Sequence, residues 1–174
     1  MAGPAPERNP DEKSRHGVRR VPAGRFAVVA ARFNESISKK LADGAAAALE
    51  AGGVAGECVE VHWVPGSFEL PQAAMALART GRYAGIVCVG VVIRGQTPHF
   101  DYIAGEAAHG LSRVALETGV PVSFGVITAL TEAQAWERAG GAVGHRGEEA
   151  ARATLEMACF LRGLKAGRAR PRQR

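Results

Sequence analysis

The sequence lacks the features that would mark a membrane protein or a domain held together by a metal ion. No apolar run approaches the ~20 residues that a bilayer-spanning helix needs. Its three cysteines, Cys58, Cys88 and Cys159, are widely spaced, form no CxxC pair and each lie in an apolar pattern. They are therefore typical of small core residues in a reducing compartment, and they disfavour a structural zinc site.

Common signatures of nucleotide and hydrolytic chemistry are missing as well. The chain has neither the phosphate-loop pattern GxxxxGK followed by Ser or Thr, nor GxGxxG after its first predicted strand, which disfavours nucleotide cofactors. It also lacks the nucleophile elbow and the zinc motif HExxH. Hydrolases and metalloenzymes are disfavoured for that reason.

Length, composition and charge predict one domain between two tails. The 174 residues, 47% apolar and 22% charged, fit a single globular domain, expected here at residues 25–164. Residues 1–24 are rich in proline and charge, so we predict a disordered N-terminal tail, and they lack the apolar segment of a secretory signal. A cytoplasmic location is expected. Residues 165–174 form a basic C-terminal tail, in which nucleic-acid binding is disfavoured because no aromatic residues are interleaved.

Predicted strands and helices alternate between these tails. Apolar or period-two runs predict strands at residues 25–32, 58–64, 86–93 and 121–128. Apolar residues at helical spacing, with glycine stops, predict helices at 36–51, 70–80, 101–118, 131–139 and 147–164. This order predicts an α/β fold, a flavodoxin-like three-layer α/β/α sandwich around a four-stranded parallel sheet.

Polar residues follow the most apolar of these strands. After residues 86–93 come Gly95, a hydroxyl at Thr97 and an imidazole at His99. In open α/β sheets ligands bind at the carboxyl ends of the strands, so this loop is a candidate anion cradle with an acid/base beside it. An ordinary turn in which Asp101 caps the next helix fits the same residues.

Two further loops at the same predicted edge carry candidate ligand contacts. Phe33 lies in a polar turn, where its ring could stack on a planar ligand or fold back under the helix. Ser67 and Glu69 could bind a polyhydroxyl group, or they could serve as cap and first-turn acid of the next helix. The residues alone leave these alternatives open.

Five motifs follow one another along residues 25–164. They are RFN (32–34), VPGSFELP (64–71), GVVIRGQTPHFDYI (90–103), VPVSFGVIT (120–128) and QAWERAG (134–140). In this order and spacing they resemble the 6,7-dimethyl-8-ribityllumazine synthase family. The resemblance implies condensation of 5-amino-6-ribitylamino-2,4(1H,3H)-pyrimidinedione with 3,4-dihydroxy-2-butanone 4-phosphate, releasing phosphate and water, as the penultimate step of riboflavin biosynthesis. It implies neither a metal nor a redox cofactor.

The resemblance also implies site residues by motif position. His99 would be the proton-transfer residue. The pyrimidinedione and its ribityl chain would contact Phe33, Ser67, Phe68, Glu69, Val92, Ile93 and Phe124. The phosphate would contact Gly95, Gln96, Thr97 and Arg138. Of these residues, Phe124 and Arg138 would come from the adjacent subunit of a homo-oligomer.

Assembly is a further implication of the resemblance. The family forms pentamers, some of which build icosahedral shells of sixty subunits, and the short connection GGAVGHRG at residues 140–147 resembles the shell-forming members. His145 and Arg146 stand where the family often has Asn and Lys, and Gln96 stands where it often has Ala or Glu. Because Arg and Lys present their donors differently, a phosphate role does not carry over to Arg146. Two alternatives to the enzyme are a noncatalytic lumazine- or flavin-binding protein and a cargo-binding shell.

Overall fold

Four strands pair in parallel to form the central sheet of the chain, of which the computed structural model describes residues 21–168. They are β1 (Arg25–Ala31), β2 (Val59–Val64), β3 (Tyr83–Ile93) and β4 (Val122–Ala129). Their order across the sheet is β2-β1-β3-β4. The central strands β1 and β3 are almost continuously apolar because both of their faces are covered, whereas β2 at one edge alternates in burial as the sequence predicts.

Within residues 21–168, five α-helices accompany this sheet. They are α1 (Glu35–Ala51), α2 (Leu70–Arg79), α3 (His99–Thr118), α4 (Glu132–Glu137) and α5 (Arg146–Arg168). Helices α1 and α5 pack on one face of the sheet and α2 and α3 on the other, which confirms the flavodoxin-like α/β/α sandwich. None of the helices in this part of the chain combines the length and hydropathy needed to cross a membrane.

The structure corrects several predicted element ends. Helix α3 starts at His99 rather than at residue 101, because the fixed φ of Pro98, here −64°, suits the position just before a helix. Strand β3 starts three residues earlier than predicted, since Tyr83 and Gly85 pair with the start of β1. The earlier start of α3 places His99 on a helix instead of in a loop.

The glycine-rich connection after α4 is also more ordered than predicted. Helix α4 ends at Glu137, and the following residues form a small hairpin of β5 (Ala139–Gly141) and β6 (Gly144–His145). Gly140 and Gly144 adopt φ values of 107° and 105°, which glycine reaches at little cost. The sequence predicted a helix to residue 139 and a glycine-rich connection at residues 140–147, so the earlier end of α4 and the hairpin correct that prediction.

The described residues reach into both predicted tails. Val21 accepts a hydrogen bond of 2.7 Å at its carbonyl oxygen from Nη1 of Arg162, so the chain contacts α5 before β1 begins. Helix α5 continues to Arg168, four residues beyond its predicted end. The rest of the predicted tails, residues 1–20 and 169–174, lies outside the described residues.

The cysteines differ in burial. Cys88 in β3 is fully buried, and that burial raises the pKa of its thiol far above the ordinary range. Cys58 and Cys159 are only partly buried. The prediction of core cysteines is thus confirmed for Cys88 and holds in part for the other two.

Candidate functional site

A cavity of about 910 Å³ opens at the carboxyl ends of β1, β2 and β3. Parallel strands bring these ends to one edge of the sheet, where open α/β folds bind ligands. The cavity is lined by nine of the residues proposed from the sequence: Phe33, Ser67, Phe68, Glu69, Val92, Ile93, Gly95, Thr97 and His99. The fold therefore brings together most of the predicted site within one chain.

Phe33 lies in the turn that leaves β1, and its side chain is 72% exposed. The ring is not folded back under α1, so the second of the two sequence alternatives is wrong. Its backbone N–H donates 3.1 Å to the carbonyl of Pro65 after β2. The next residue, Asn34, adopts the left-handed φ of 59° and donates 3.3 Å from Nδ2 to the carbonyl oxygen of Val91 in β3. The backbone of this turn is fixed from both sides while the ring stays open to a ligand.

The loop after β2 makes a single 3₁₀ turn at Ser67–Glu69. Ser67 is buried, and its Oγ lies so close to Gly90 of β3 that a Cβ built there would stand 2.7 Å away. Phe68 is exposed and Glu69 half-buried. Helix α2, which is described in full, begins without a side-chain cap hydrogen bond. Ser67 is thus not a helix cap, and the loop turns a ring and a carboxylate towards the cavity.

His99 is exposed as the first residue of α3 and faces the cavity together with Tyr102 and Ile103. Side chains three and four residues apart lie on one face of a helix, so these three form one wall. Asp101 is a first-turn acid of α3 and not its cap. Tyr102 and Ile103 were missed from the sequence because the helix was predicted to start two residues later, and helical spacing counted from His99 would have found them.

The remaining lining residues were also missed, although each lies within two positions of a predicted one. They are Pro65, Gly66, Val91 and Phe100. Together with Phe33 and Phe68 they make most of the cavity wall apolar, with a few polar groups from Glu69, Thr97, His99 and Tyr102. Such a wall suits a planar ring that carries polar substituents. Among the described residues, no group of three or more His, Cys, Asp or Glu is placed to hold a metal ion.

Three proposed residues do not line this cavity within the described chain: Gln96, Phe124 and Arg138. Phe124 pairs with Cys88, five residues before the end of β3. At about 3.3 Å per residue it lies roughly 16 Å short of the carboxyl edge. Phe124 is 39% exposed, because β4 is the outermost strand of the sheet on the side opposite β2.

Arg138 directly follows α4 and precedes the hairpin. Its Nη1 donates 2.9 Å to the carbonyl oxygen of Gln134, and its guanidinium lies 3.9 Å from the carboxylate of Glu137. The side chain is about one-third exposed. Its backbone carbonyl accepts a hydrogen bond of 2.8 Å from the N–H of Arg146. This bond fixes the backbone from which the Arg138 side chain extends.

Comparison with known protein families shows which family the sequence matches. Residues 23–162 match the profile of the family described as 6,7-dimethyl-8-ribityllumazine synthase. The matched range includes all four strands of the main sheet, every cavity-lining residue, and also Phe124 and Arg138.

Proposed function

This chain belongs to the 6,7-dimethyl-8-ribityllumazine synthase family, and from that premise we propose that it condenses 5-amino-6-ribitylamino-2,4(1H,3H)-pyrimidinedione with 3,4-dihydroxy-2-butanone 4-phosphate. Membership points to lumazine synthesis in riboflavin biosynthesis. The observation that carries the proposal is the cavity itself, in which an exposed aromatic ring, a carboxylate and an imidazole from the segments after three different strands face one space.

The apolar part of the cavity binds the pyrimidinedione. Phe33 offers a free ring face for stacking, and Val92 and Ile93 at the end of β3 form another part of the cavity wall. Glu69 accepts hydrogen bonds from ribityl hydroxyls, since an ionised carboxylate has two acceptor oxygens. Phe68 and Ser67 hold this segment against the ring edge.

The phosphate lies at the loop of residues 95–97. This loop runs into the N-terminus of α3, where backbone N–H groups have no partner within the helix and the helix dipole favours an anion. Gly95 has open space around it, so the backbone can approach an oxygen atom closely. Gln96 contributes its backbone amide, which explains why its side chain need not line the cavity.

His99 moves the protons. An imine forms between the amine and the ketone with loss of one water, phosphate is eliminated, and the second ring closes with loss of a second water. Each of these steps transfers a proton near neutral pH, the range in which an imidazole both gives and takes one. His99 lines the same cavity as Gly95 and Thr97 of the phosphate loop and as the ring of Phe33. The remaining acceleration comes from holding two reactants together.

A neighbouring subunit completes the site. Phe124 and Arg138 are partly exposed and lie outside their own chain's cavity, so each is available to the cavity of an adjacent copy. The ring of Phe124 covers the heterocycle, and Arg138 binds the phosphate by paired charge-assisted hydrogen bonds. Members of the family are known to oligomerise, and we take the pentamer as the unit.

The test is the rate of lumazine formation, followed by absorbance after the two substrates are mixed with purified protein. Formation well above the uncatalysed background is expected, with a loss of ~100-fold or more in His99→Ala. Background-level formation by a folded, assembled protein would overturn the proposal. If such a protein still bound lumazine, a noncatalytic binding protein would replace the enzyme as the leading function.

A further inference from the structure

His145 occupies the position that caps helix α5. The N–H of Glu148, the third residue of the helix, donates 3.3 Å to Nδ1 of His145. A backbone N–H can only donate, so Nδ1 carries no proton in this arrangement. The contact satisfies one of the amide groups that a helix start leaves without a partner.

The imidazole also fills the space between three elements. A methyl group added to Gly44 of α1 would overlap the ring, and one added to Gly140 of the hairpin would stand 3.1 Å from its Cδ2. His145 pairs with Ala139 across the hairpin. The adjoining N–H of Arg146 donates to the carbonyl of Arg138. One side chain thus joins α1, the hairpin and α5 directly beside the backbone of Arg138.

We propose that His145 is a positioning residue for Arg138, and that protonation of its imidazole releases the hairpin and weakens phosphate binding. This rests on the proposed function only in assigning Arg138 to phosphate. A protonated imidazole has no lone pair at Nδ1 to accept the Glu148 N–H, and it places a positive charge at the positive end of the α5 dipole.

The carboxylates around His145 are each paired with another cation. From α1 it is faced by Lys40 and Asp43, and from α5 by Glu148, Glu149 and Arg152. The three carboxylates already form ion pairs of 2.6 to 2.7 Å with Lys39, Arg152 and Arg146. An imidazolium would therefore have to compete with existing pairs.

Asparagine provides the matched control, because its side-chain oxygen can accept the same N–H and does not titrate. Affinity for inorganic phosphate is measured between pH 5.5 and 8 in wild type, His145→Asn and His145→Ala. The ratio between proteins at each pH removes the titration of phosphate itself. We expect His145→Asn to match wild type at pH 8 and to bind about 3- to 10-fold more tightly at pH 5.5, and His145→Ala to bind weakly throughout. Identical pH profiles for wild type and His145→Asn would overturn the proposal.

The coupling to Arg138 is tested by a double-mutant cycle. In an Arg138→Ala background, His145→Ala should cause no further loss of phosphate affinity, because residues that act through one another are not additive. Fully additive losses would overturn the positioning role. Amide exchange of the peptide around Glu148 should be faster at pH 5.5 in wild type than in His145→Asn, and equal rates would overturn the cap. Failure of the proposed function would be seen separately, as lumazine formation at the background rate.

Discussion

Asn34 donates a hydrogen bond of 3.3 Å from Nδ2 to the carbonyl oxygen of Val91, and so ties the turn after β1 to the cavity end of β3. Asn34 holds a left-handed backbone conformation beside the exposed ring of Phe33. Together with the hydrogen bond from the Phe33 N–H to the carbonyl of Pro65, this bond holds the turn that carries the ring.

Replacing Asn34 by Asp tests this bond. Aspartate keeps the size and the tolerance of a left-handed backbone but cannot donate, so two oxygen atoms would face each other. We expect a loss of about 1 kcal/mol in the free energy of unfolding, measured by urea denaturation, and a higher KM for the pyrimidinedione. Unchanged stability would show that the bond contributes nothing.

Phe33→Ala should separate binding from folding. The ring is largely exposed, so unfolding should change by less than about 0.5 kcal/mol. Stacking on an aromatic ring contributes ~1–3 kcal/mol to binding, so its loss should weaken pyrimidinedione binding by roughly 5- to 150-fold, as measured by calorimetry. Phe160→Ala, an exposed ring on α5 outside the cavity, is the control. Equal effects of the two substitutions on binding would contradict the stacking role.

A site shared between subunits, as proposed above, predicts that two inactive variants restore each other. His99→Ala and Arg138→Ala are unfolded together in equal amounts, refolded, and assayed against each variant refolded alone. In a cyclic assembly with random mixing, about a quarter of the sites would receive both wild-type residues, and activity should return to that level. No recovery in a mixed assembly would place both residues in the same chain's site.

Tyr83→Phe should flatten the pH dependence of stability. The Tyr83 hydroxyl donates to the carboxylate of Glu60, which also pairs with Arg25. The bond from Tyr83 lowers the pKa of Glu60 below its ordinary 4.5, so this stabilisation is complete above that pH and is lost as pH falls through the lowered pKa.

The same contact acts at alkaline pH. Burial and the nearby Glu60 raise the pKa of Tyr83 above its ordinary 10, so stability present below pH 10 is lost as pH rises through the raised pKa. Thermal unfolding from pH 3 to 11 should show both slopes in wild type; in Tyr83→Phe the alkaline slope from this contact should be absent, and the acid slope should be reduced but retained in part, because Arg25 still pairs with Glu60. Tyr102→Phe, at an exposed tyrosine, should retain both slopes; if its slopes change in the same way, the assignment to Tyr83 fails.

Gly44→Ala should destabilise the protein even though alanine favours helices. In an open helix the change from glycine to alanine stabilises by about 0.5–1 kcal/mol, which is expected for Gly163→Ala on α5, where a Cβ would meet open space. At Gly44 the methyl group would overlap His145, so urea denaturation should show a loss instead. A gain at both positions would mean that the ring moves aside freely.

The sequence predicted the parts of the fold that depend on burial. Continuous apolar runs gave β1 and β3, and period-two alternation placed β2 at an edge. The helix start at His99 was missed because the proline before it permits either a loop or a first turn. The β5–β6 hairpin was missed because its strands are too short and glycine-rich to show any periodicity.

The site was predictable where its residues follow strands. Phe33, Ser67 and His99 each come after a strand of a parallel sheet, so their meeting at one edge follows from topology. Phe124 and Arg138 gave no such signal, because within the described residues of their own chain they lie outside the cavity. The proposal that they serve the cavity of a neighbouring copy rests on the resemblance to a known family.

Because Ser67 lies so close to Gly90, the residue at position 67 limits which residues can replace the glycine at position 90 during evolution. A residue with a Cβ at position 90 would meet the hydroxyl of Ser67 and also the side chain of Ala31, 3.1 Å away. Position 90 can therefore accept a larger residue only in a lineage that has already lost the hydroxyl at position 67. Among descendants of this sequence, a residue larger than glycine at position 90 should occur only together with a residue that lacks the hydroxyl at position 67.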